Sequence, residues 1–214
     1  MLVGERMSRP IITTTVNVPI PEAHMLMRDR NIRRIPVVDE KGKLVGIISD
    51  HDILNASPSP ATSLSIWEMN YLINEIKVKD VMTRDVLTVE ENDTIEKAAR
   101  IMADNKIGGL PVMRGDRPVG VITETDLFKI FLELMGARDP GVRITVLVPE
   151  KVGELAHLTQ AISEAGGNFV AFGQFRGERT TNREIIFKVA GLDEETLKTV
   201  IAPYIEKVKD IRTE

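Results

Sequence analysis

Apolar positions along the chain fall into short periodic runs, and the runs come round twice. An extended piece, Ile11 to Thr15, precedes a segment whose apolar residues Ile20, Ala23 and Met27 recur at helical spacing. Pro19 and Pro21 fall in its first turn, where proline is tolerated. An apolar strand, Ile35-Pro36-Val37-Val38, is followed by the turn Asp39-Glu40-Lys41-Gly42 and a second strand, Leu44 to Ile48, which is a hairpin pattern. A proline at such a strand start belongs where no ladder donor is needed. A last helix starts at Ser49. The succession returns with Val86 to Val89, the helical set Ile95, Ala98 and Met102, the strand Leu110-Pro111-Val112-Met113, the turn Gly115-Asp116-Arg117, the strand Val119 to Ile122, and a helix from Thr123. Each copy reads β-α-β-β-α.

The identities coincide as well as the pattern. Val3 aligns with Val78, Met7 with Met82, Arg9 with Arg84, Thr13 with Thr88, Asn17 with Asn92, Asp29 with Asp104 and Pro36 with Pro111. After a one-residue deletion in the next turn, Val45 aligns with Val119, Gly46 with Gly120, Ile48 with Ile122 and Asp52 with Asp126. Internal repetition of this density means one unit used twice.

Between the copies, a turn-rich stretch (Ser57-Pro58-Ser59-Pro60) leads to Ser65-Ile66-Trp67-Glu68, a capping-box pattern opening a helix to Ile76. Its apolar residues cover more than one stripe, so burial on two sides is expected. The helix Leu127 to Met135 is apolar around most of its circumference, which points to a partner subunit, with contact to the rest of the same chain as the alternative. Past the Gly136–Gly141 linker come a strand from Val142 to Val148 and a helix from Gly153 with inward Leu155, Leu158, Ile162 and Ala165, stopped at Gly166-Gly167. Strands Asn168 to Phe175 and Arg183 to Val189 follow, then a helix capped by Asp193, a break at Pro203, and an edge strand from Val208 to Arg212. That order, β-α-β-β-α-β, is ferredoxin-like. The fold class is mixed α/β (α+β): a repeat over 1–56, a linker and helix over 57–77, a second repeat over 78–135, a linker over 136–141, and a third module over 142–214.

Composition narrows the chemistry. The chain has 214 residues, 43% hydrophobic and 28% charged, with a net charge of −4, so a packed core is expected and a general nucleic-acid footprint is not. With no cysteine there is no disulfide or thiolate chemistry, and His24, His51 and His157 lack metal-ligand spacing. No membrane span and no signal-peptide core are visible, so a cytoplasmic protein is the expectation. No Walker loop, nucleophile elbow or dinucleotide fingerprint is present, and no enzyme activity is expected.

The candidate chemistry is duplicated. Gly46-Ile47-Ile48-Ser49-Asp50-His51-Asp52 and Gly120-Val121-Ile122-Thr123-Glu124-Thr125-Asp126 both place a hydroxyl and, three residues on, an aspartate at a strand-to-helix junction. A phosphate suits the helix start and a ribose diol suits the aspartate; a plain capping box accounts for the same residues. Ahead of each hairpin lie Ile32-Arg33-Arg34-Ile35-Pro36 and Ile107-Gly108-Gly109-Leu110-Pro111. The glycines would let a flat base approach the backbone or simply form a turn; the arginines would pair with phosphate or line a solvated surface.

On these motifs the duplicated unit resembles a pair of CBS domains, a Bateman module. The resemblance implies an adenosine nucleotide (AMP, ADP, ATP or a related adenosyl ligand) between the repeats, bound as a regulatory ligand and not as a catalytic cofactor. By position it implies Ile12, Ile32, Arg33, Arg34, Pro36, Ser49 and Asp52 for one site, and Thr83, Leu87, Ile107, Gly108, Gly109, Pro111, Thr123 and Asp126 for the other. The third module resembles an ACT domain, with Gly153, Leu155 and Asn168 matching its signature while the Asp and Pro expected before Gly153 are replaced by Glu150-Lys151-Val152. That resemblance implies an amino-acid effector and a homodimer. The whole chain is similar to acetoin-utilisation proteins of the AcuB type. The alternatives are an oligomerisation scaffold without ligand and a small hydrolase or deacetylase of the acetoin pathway.

Overall fold

The computed structural model describes residues 1–56 and 65–214, which form two compact units, Met1–Leu127 and Phe128–Glu214. The turn-rich stretch Ser57 to Pro60 lies outside the described residues.

The first unit opens with α1 (Val3–Arg6), β1 (Thr14–Thr15), α2 (Ile20–Asp29), β2 (Arg34–Val38), β3 (Leu44–Ser49) and α3 (Asp50–Ala56). After α4 (Ile66–Glu75) it repeats as α5 (Val78–Val81), β4 (Val89–Glu90), α6 (Ile95–Asn105), β5 (Gly109–Arg114), β6 (Arg117–Thr123) and α7 (Glu124–Leu134). Each repeat carries a three-stranded sheet, β1-β2-β3 or β4-β5-β6, with the first pair parallel and the second antiparallel. β1 pairs only with Val37 and Val38, and β4 only with Val112 and Met113, so Pro36 and Pro111 sit just ahead of the positions that share the central strand. Ile20, Ala23 and Met27 of α2 are buried with Ile35, Val37 and Ile48 of the hairpin; Ile95, Ala98 and Met102 of α6 are buried likewise.

The two repeats exchange their leading segments. Residues at the start of the chain complete the second repeat: Leu2 bridges to Thr94, the Val3 and Gly4 amides donate to Asp93 and Glu91 carbonyls at 2.8 Å, and Ser8 pairs with Val121. The corresponding segment of the second copy completes the first: Pro19 bridges to Lys77, the Val78 amide donates to the Val18 carbonyl at 2.9 Å, and Ile47 and Thr83 exchange two hydrogen bonds of 2.9 Å each. The thioether of Met82 lies on the backbone of Gly46, and that of Met7 on Gly120. The glycine leading each duplicated motif is therefore required by methionine packing.

Helix α4 departs from the expected double burial. Its Ser65–Glu68 capping box forms, with the Glu68 amide donating to Ser65 Oγ at 3.3 Å and the Ser65 amide to Glu68 Oε2 at 2.9 Å. Yet Trp67 and Tyr71 are 85% and 68% exposed, because α4 meets α2 along one side and these rings face away to line an open groove of about 410 Å³.

In the second unit, β7 (Val142–Pro149), α8 (Glu154–Glu164), β8 (Asn168–Arg176), β9 (Asn182–Ala190), α9 (Glu194–Ile201), a 3-10 turn (Ala202–Tyr204) and β10 (Lys207–Thr213) follow one another. The antiparallel sheet runs β10-β7-β9-β8. Ile144, Val146, Ile185 and Phe187 pack against Leu158, Ile162, Leu197 and Ile201. Leu155 is not inward: it lies in the first turn of α8, ahead of the part that meets the sheet, and is 37% exposed. Ala165 is half-buried. Lys188 is buried, and its ammonium spends its three donors on the carbonyls of Gly136 (3.1 Å) and Asp139 (3.0 Å) and the Glu214 carboxylate (3.0 Å).

Two stability predictions follow. A Cβ at Gly46 would stand 2.6 Å from Met82 Sδ and 3.0 Å from the Thr83 carbonyl oxygen. Gly46→Ala is expected to cost about 1–3 kcal/mol through overpacking, read as an earlier urea midpoint. Lys188→Ala leaves the Asp139 carbonyl and the Glu214 carboxylate without the ammonium and takes from the Gly136 carbonyl one of its two donors; it is expected to cost about 1–3 kcal/mol by the same measurement.

Candidate functional site

The site begins at the two strand-to-helix junctions. β3 ends in Ser49 and β6 in Thr123, and the helices α3 and α7 start at the next residue. Asp52 Oδ2 accepts from the Ser49 amide at 2.8 Å and from Ser49 Oγ at 2.6 Å. Asp126 Oδ2 accepts from the Thr123 amide at 2.9 Å and from Thr123 Oγ1 at 2.7 Å. In return Ser49 Oγ and Thr123 Oγ1 accept from the aspartate amides at 3.3 and 3.4 Å. These are complete capping boxes, made in both repeats by one carboxylate oxygen. Asp126 is buried and Asp52 half-buried.

The junctions are tied to the preceding motif by backbone register. Arg34 stands opposite Ser49, and the Asp50 amide donates to the Arg33 carbonyl at 2.9 Å. Gly109 stands opposite Thr123, and the Glu124 amide donates to the Gly108 carbonyl at 3.3 Å. The backbone is thus the same in both repeats while the side chains are not. Arg34 reaches from the first repeat to the second, where Nη1 donates to the Gly108 carbonyl. A methyl group at Gly108 would stand 2.8 Å from Arg34 Nη2 and 2.9 Å from Glu124 Oε2; one at Gly109 would stand 2.8 Å from Arg34 Nη1.

The space opened by the two glycines is therefore lined by a guanidinium. Burial lowers the Arg34 pKa, opposed by Glu124, Asp50 and Asp52 and reinforced by Arg33. One guanidinium thus feels carboxylates from the starts of both α3 and α7. Arg33, by contrast, is exposed.

Other sequence candidates distribute unevenly. Pro36 and Pro111 are buried; Ile12, Ile32 and Ile107 are half-buried; Leu87 is exposed. Thr83, grouped by sequence position with Thr123, instead pairs with Ile47 in the first repeat, two residues from Ser49. The exchange of leading segments is the cause. By the same exchange Ser8 pairs with Val121, two residues from Thr123, and is a candidate that motif reading missed. The signal was available, since the repeat register aligns Ser8 with Thr83.

In the second unit, Gly153 caps α8 with φ +87, the left-handed region, and a Cβ there would meet nothing nearer than His157 Cε1 at 3.8 Å. Its glycine answers to backbone conformation and not to crowding. Asn168 opens β8 and is exposed. Among the described residues no group of three or more His, Asp or Glu is placed to hold a metal ion, and no helix is long and apolar enough to cross a membrane.

Comparison with known proteins places this geometry. The CBS domain model matches residues 3–59 and 78–133, and the chain belongs to the CBS-domain family. The CBS domain pair of protein MJ0100, solved with 5′-methylthioadenosine and S-adenosyl-L-methionine, is 33% identical, covers 65% of this chain and 98% of its own, and superposes with a TM-score of 0.53. A Vibrio cholerae structure named for acetoin utilization (AcuB) is 32% identical, covering 65% of this chain and 96% of its own, with a TM-score of 0.53. CBSX2 in complex with AMP is 27% identical, covering 62% and 97%, with a TM-score of 0.53. The chain spans only 23–47% of the length of the curated relatives it first matches, at 33–38% identity.

The caps set a stability expectation. Asp126→Ala should cost about 1–2 kcal/mol in thermal or urea unfolding, through loss of the cap bonds to Thr123. Asp126→Asn, which keeps one acceptor oxygen, should recover part of that loss.

Proposed function

We propose that the chain is a regulatory sensor that binds an adenosine ligand in the cleft between its two CBS repeats. The observation that carries this reading is the reach of Arg34 from one repeat to the helix start of the other: its guanidinium donates to the Gly108 carbonyl and shares the Gly108 recess with Glu124 Oε2. The complexes of similar CBS pairs with AMP, 5′-methylthioadenosine and S-adenosyl-L-methionine supply the ligand class. In this reading the hydroxyls of Ser49 and Thr123 and the adjoining helix amides receive phosphate, and Asp52 and Asp126 accept from ribose. Thr83 serves the Ser49 side and Ser8 the Thr123 side. Binding would act by favouring one arrangement of the repeats over another, to the extent of its differential affinity for them.

The second unit is read as an ACT domain taking an amino-acid effector near Gly153, Leu155 and Asn168. Its support is the β-α-β-β-α-β order with the β10-β7-β9-β8 sheet. The exposed apolar residues Phe128, Phe131 and Leu134 of α7 support association with a second copy. Acetoin utilisation as the regulated process rests on the likeness to the Vibrio cholerae protein.

Purified protein screened by thermal shift against AMP, ADP, ATP, S-adenosylmethionine and NADH tests the sensor. An adenosine ligand at about 100 times its Kd should add roughly 2.7 kcal/mol of stability. The double variant Asp52→Ala, Asp126→Ala should lose the response. Absence of any response in the unmodified protein would leave an oligomerisation scaffold, and a response surviving in the double variant would remove the ribose assignment.

A further inference from the structure

Resting on the sensor reading for its ligand, we propose that Lys188 is a latch: it holds residues 136–141 on the sheet of the second unit, and only while it is closed is ligand binding at the start of α7 felt in that sheet. Composition marks 136–141 as a linker, yet the boundary between the two units falls at Leu127 and Phe128, inside α7. The joint is thus a helix of about 16 Å at 1.5 Å per residue, and the glycine-rich stretch beyond it is a strap bonded to the second unit. α7 ends on a Schellman turn: the Gly136 amide donates to the Glu133 carbonyl at 3.1 Å and the Ala137 amide to the Leu132 carbonyl at 2.9 Å. Gly136 has φ +55, as that turn requires, and is buried against β8, where a Cβ would stand 2.8 Å from Val170 Cγ1 and 3.3 Å from Ala171 Cβ. At the other end of the strap, Gly141 and Glu214 exchange two backbone hydrogen bonds of 3.0 Å each.

One side chain spans these attachments. Lys188 lies on β9 opposite Ala171 and sends its ammonium to the Gly136 carbonyl just past the helix end, to the Asp139 carbonyl and to the Glu214 carboxylate. A cation there also meets the negative pole of the helix dipole. Because Lys188 is buried, its charge is met only while these three separate stretches are held together around it. Ala137, Arg138, Asp139 and Pro140 are exposed, so polar bonds and not apolar burial hold the middle of the strap. A coupling between two sites needs an element whose state both of them bias. α7 is capped by Thr123 and Asp126 at one end and by the latched turn at the other.

Hydrogen exchange of the full chain with AMP, with 5′-methylthioadenosine and without ligand, for the unmodified protein, Lys188→Met and Glu214→Gln, tests this. Lys188→Met keeps the stem and removes the charge. Without ligand, the amides of Ala137, Asp139 and Gly141 should exchange about tenfold faster or more in Lys188→Met, the scale of a lost charged hydrogen bond, and by a smaller factor in Glu214→Gln. In the unmodified protein the ligands should slow exchange at 123–127 and also in the strap and β8. In Lys188→Met the first effect should remain and the second disappear. Circular dichroism checks folding, and if Lys188→Met does not fold, Glu214→Gln carries the same comparison with a partial loss. Strap exchange unchanged by removal of the charge would overturn the latch. Protection confined to 123–127 in the unmodified protein, or still reaching β8 in Lys188→Met, would overturn the coupling while leaving the sensor intact. No protection by either ligand anywhere in the unmodified protein would overturn the sensor and the coupling, and the ligand-free comparison would still decide the latch.

Discussion

The first unit depends on a crossing of backbones. Each repeat has a sheet of only three strands, one of them two residues long, packed against α2 and α3 in the first copy and α6 in the second. What completes each is the leading segment of the other, held by backbone hydrogen bonds on both sides and by a methionine laid across a glycine. Burying a Met side chain is worth about 1.5–3 kcal/mol, and it is available here only because Gly46 and Gly120 present bare backbone. Ser49 and Thr123 follow three positions further along the same strands, and Asp52 and Asp126 three beyond those in the first turn of the next helix, so the packing that joins the repeats also fixes the junctions from which they project.

The electrostatics around Arg34 follow from an asymmetry in an otherwise duplicated framework. Both repeats use the same amide-to-carbonyl bond between the first helical residue and the segment before the hairpin. In one repeat that segment is Arg33-Arg34; in the other it is Gly108-Gly109. The pair is complementary between the repeats, since the bulk that one copy carries is the space that the other leaves. A half-buried guanidinium costs desolvation, and carboxylates from both sides offset that cost.

Much of this was legible in the sequence, and the exceptions have physical causes. The helical spacing of Ile20, Ala23 and Met27 and of Ile95, Ala98 and Met102 marks faces that the structure buries, because burial against a sheet demands that spacing. The Ser49–Asp52 and Thr123–Asp126 boxes were visible because capping is local. The partners of Thr83 and Ser8 were not, since a pattern read within each copy cannot show that the copies trade segments. Nor could composition show that the Gly108-Gly109 recess is filled by a side chain 74 residues earlier in the chain. The burial expected of α4 and of Leu155 failed for a simpler reason: an apolar residue at the right spacing is buried only where something lies opposite it.

The exchanged leaders have a bearing on how such a chain is assembled. Two separate single-repeat chains trading these segments would form a swapped dimer whose stability falls on dilution. Joined in tandem, the same trade becomes intramolecular, and the covalent link replaces bulk concentration with a fixed local one. The fused chain therefore keeps its two repeats paired at any cellular abundance, and it releases them from the requirement of identity. An arginine on one side and a pair of glycines on the other is a combination that a symmetric pair of identical chains could never hold.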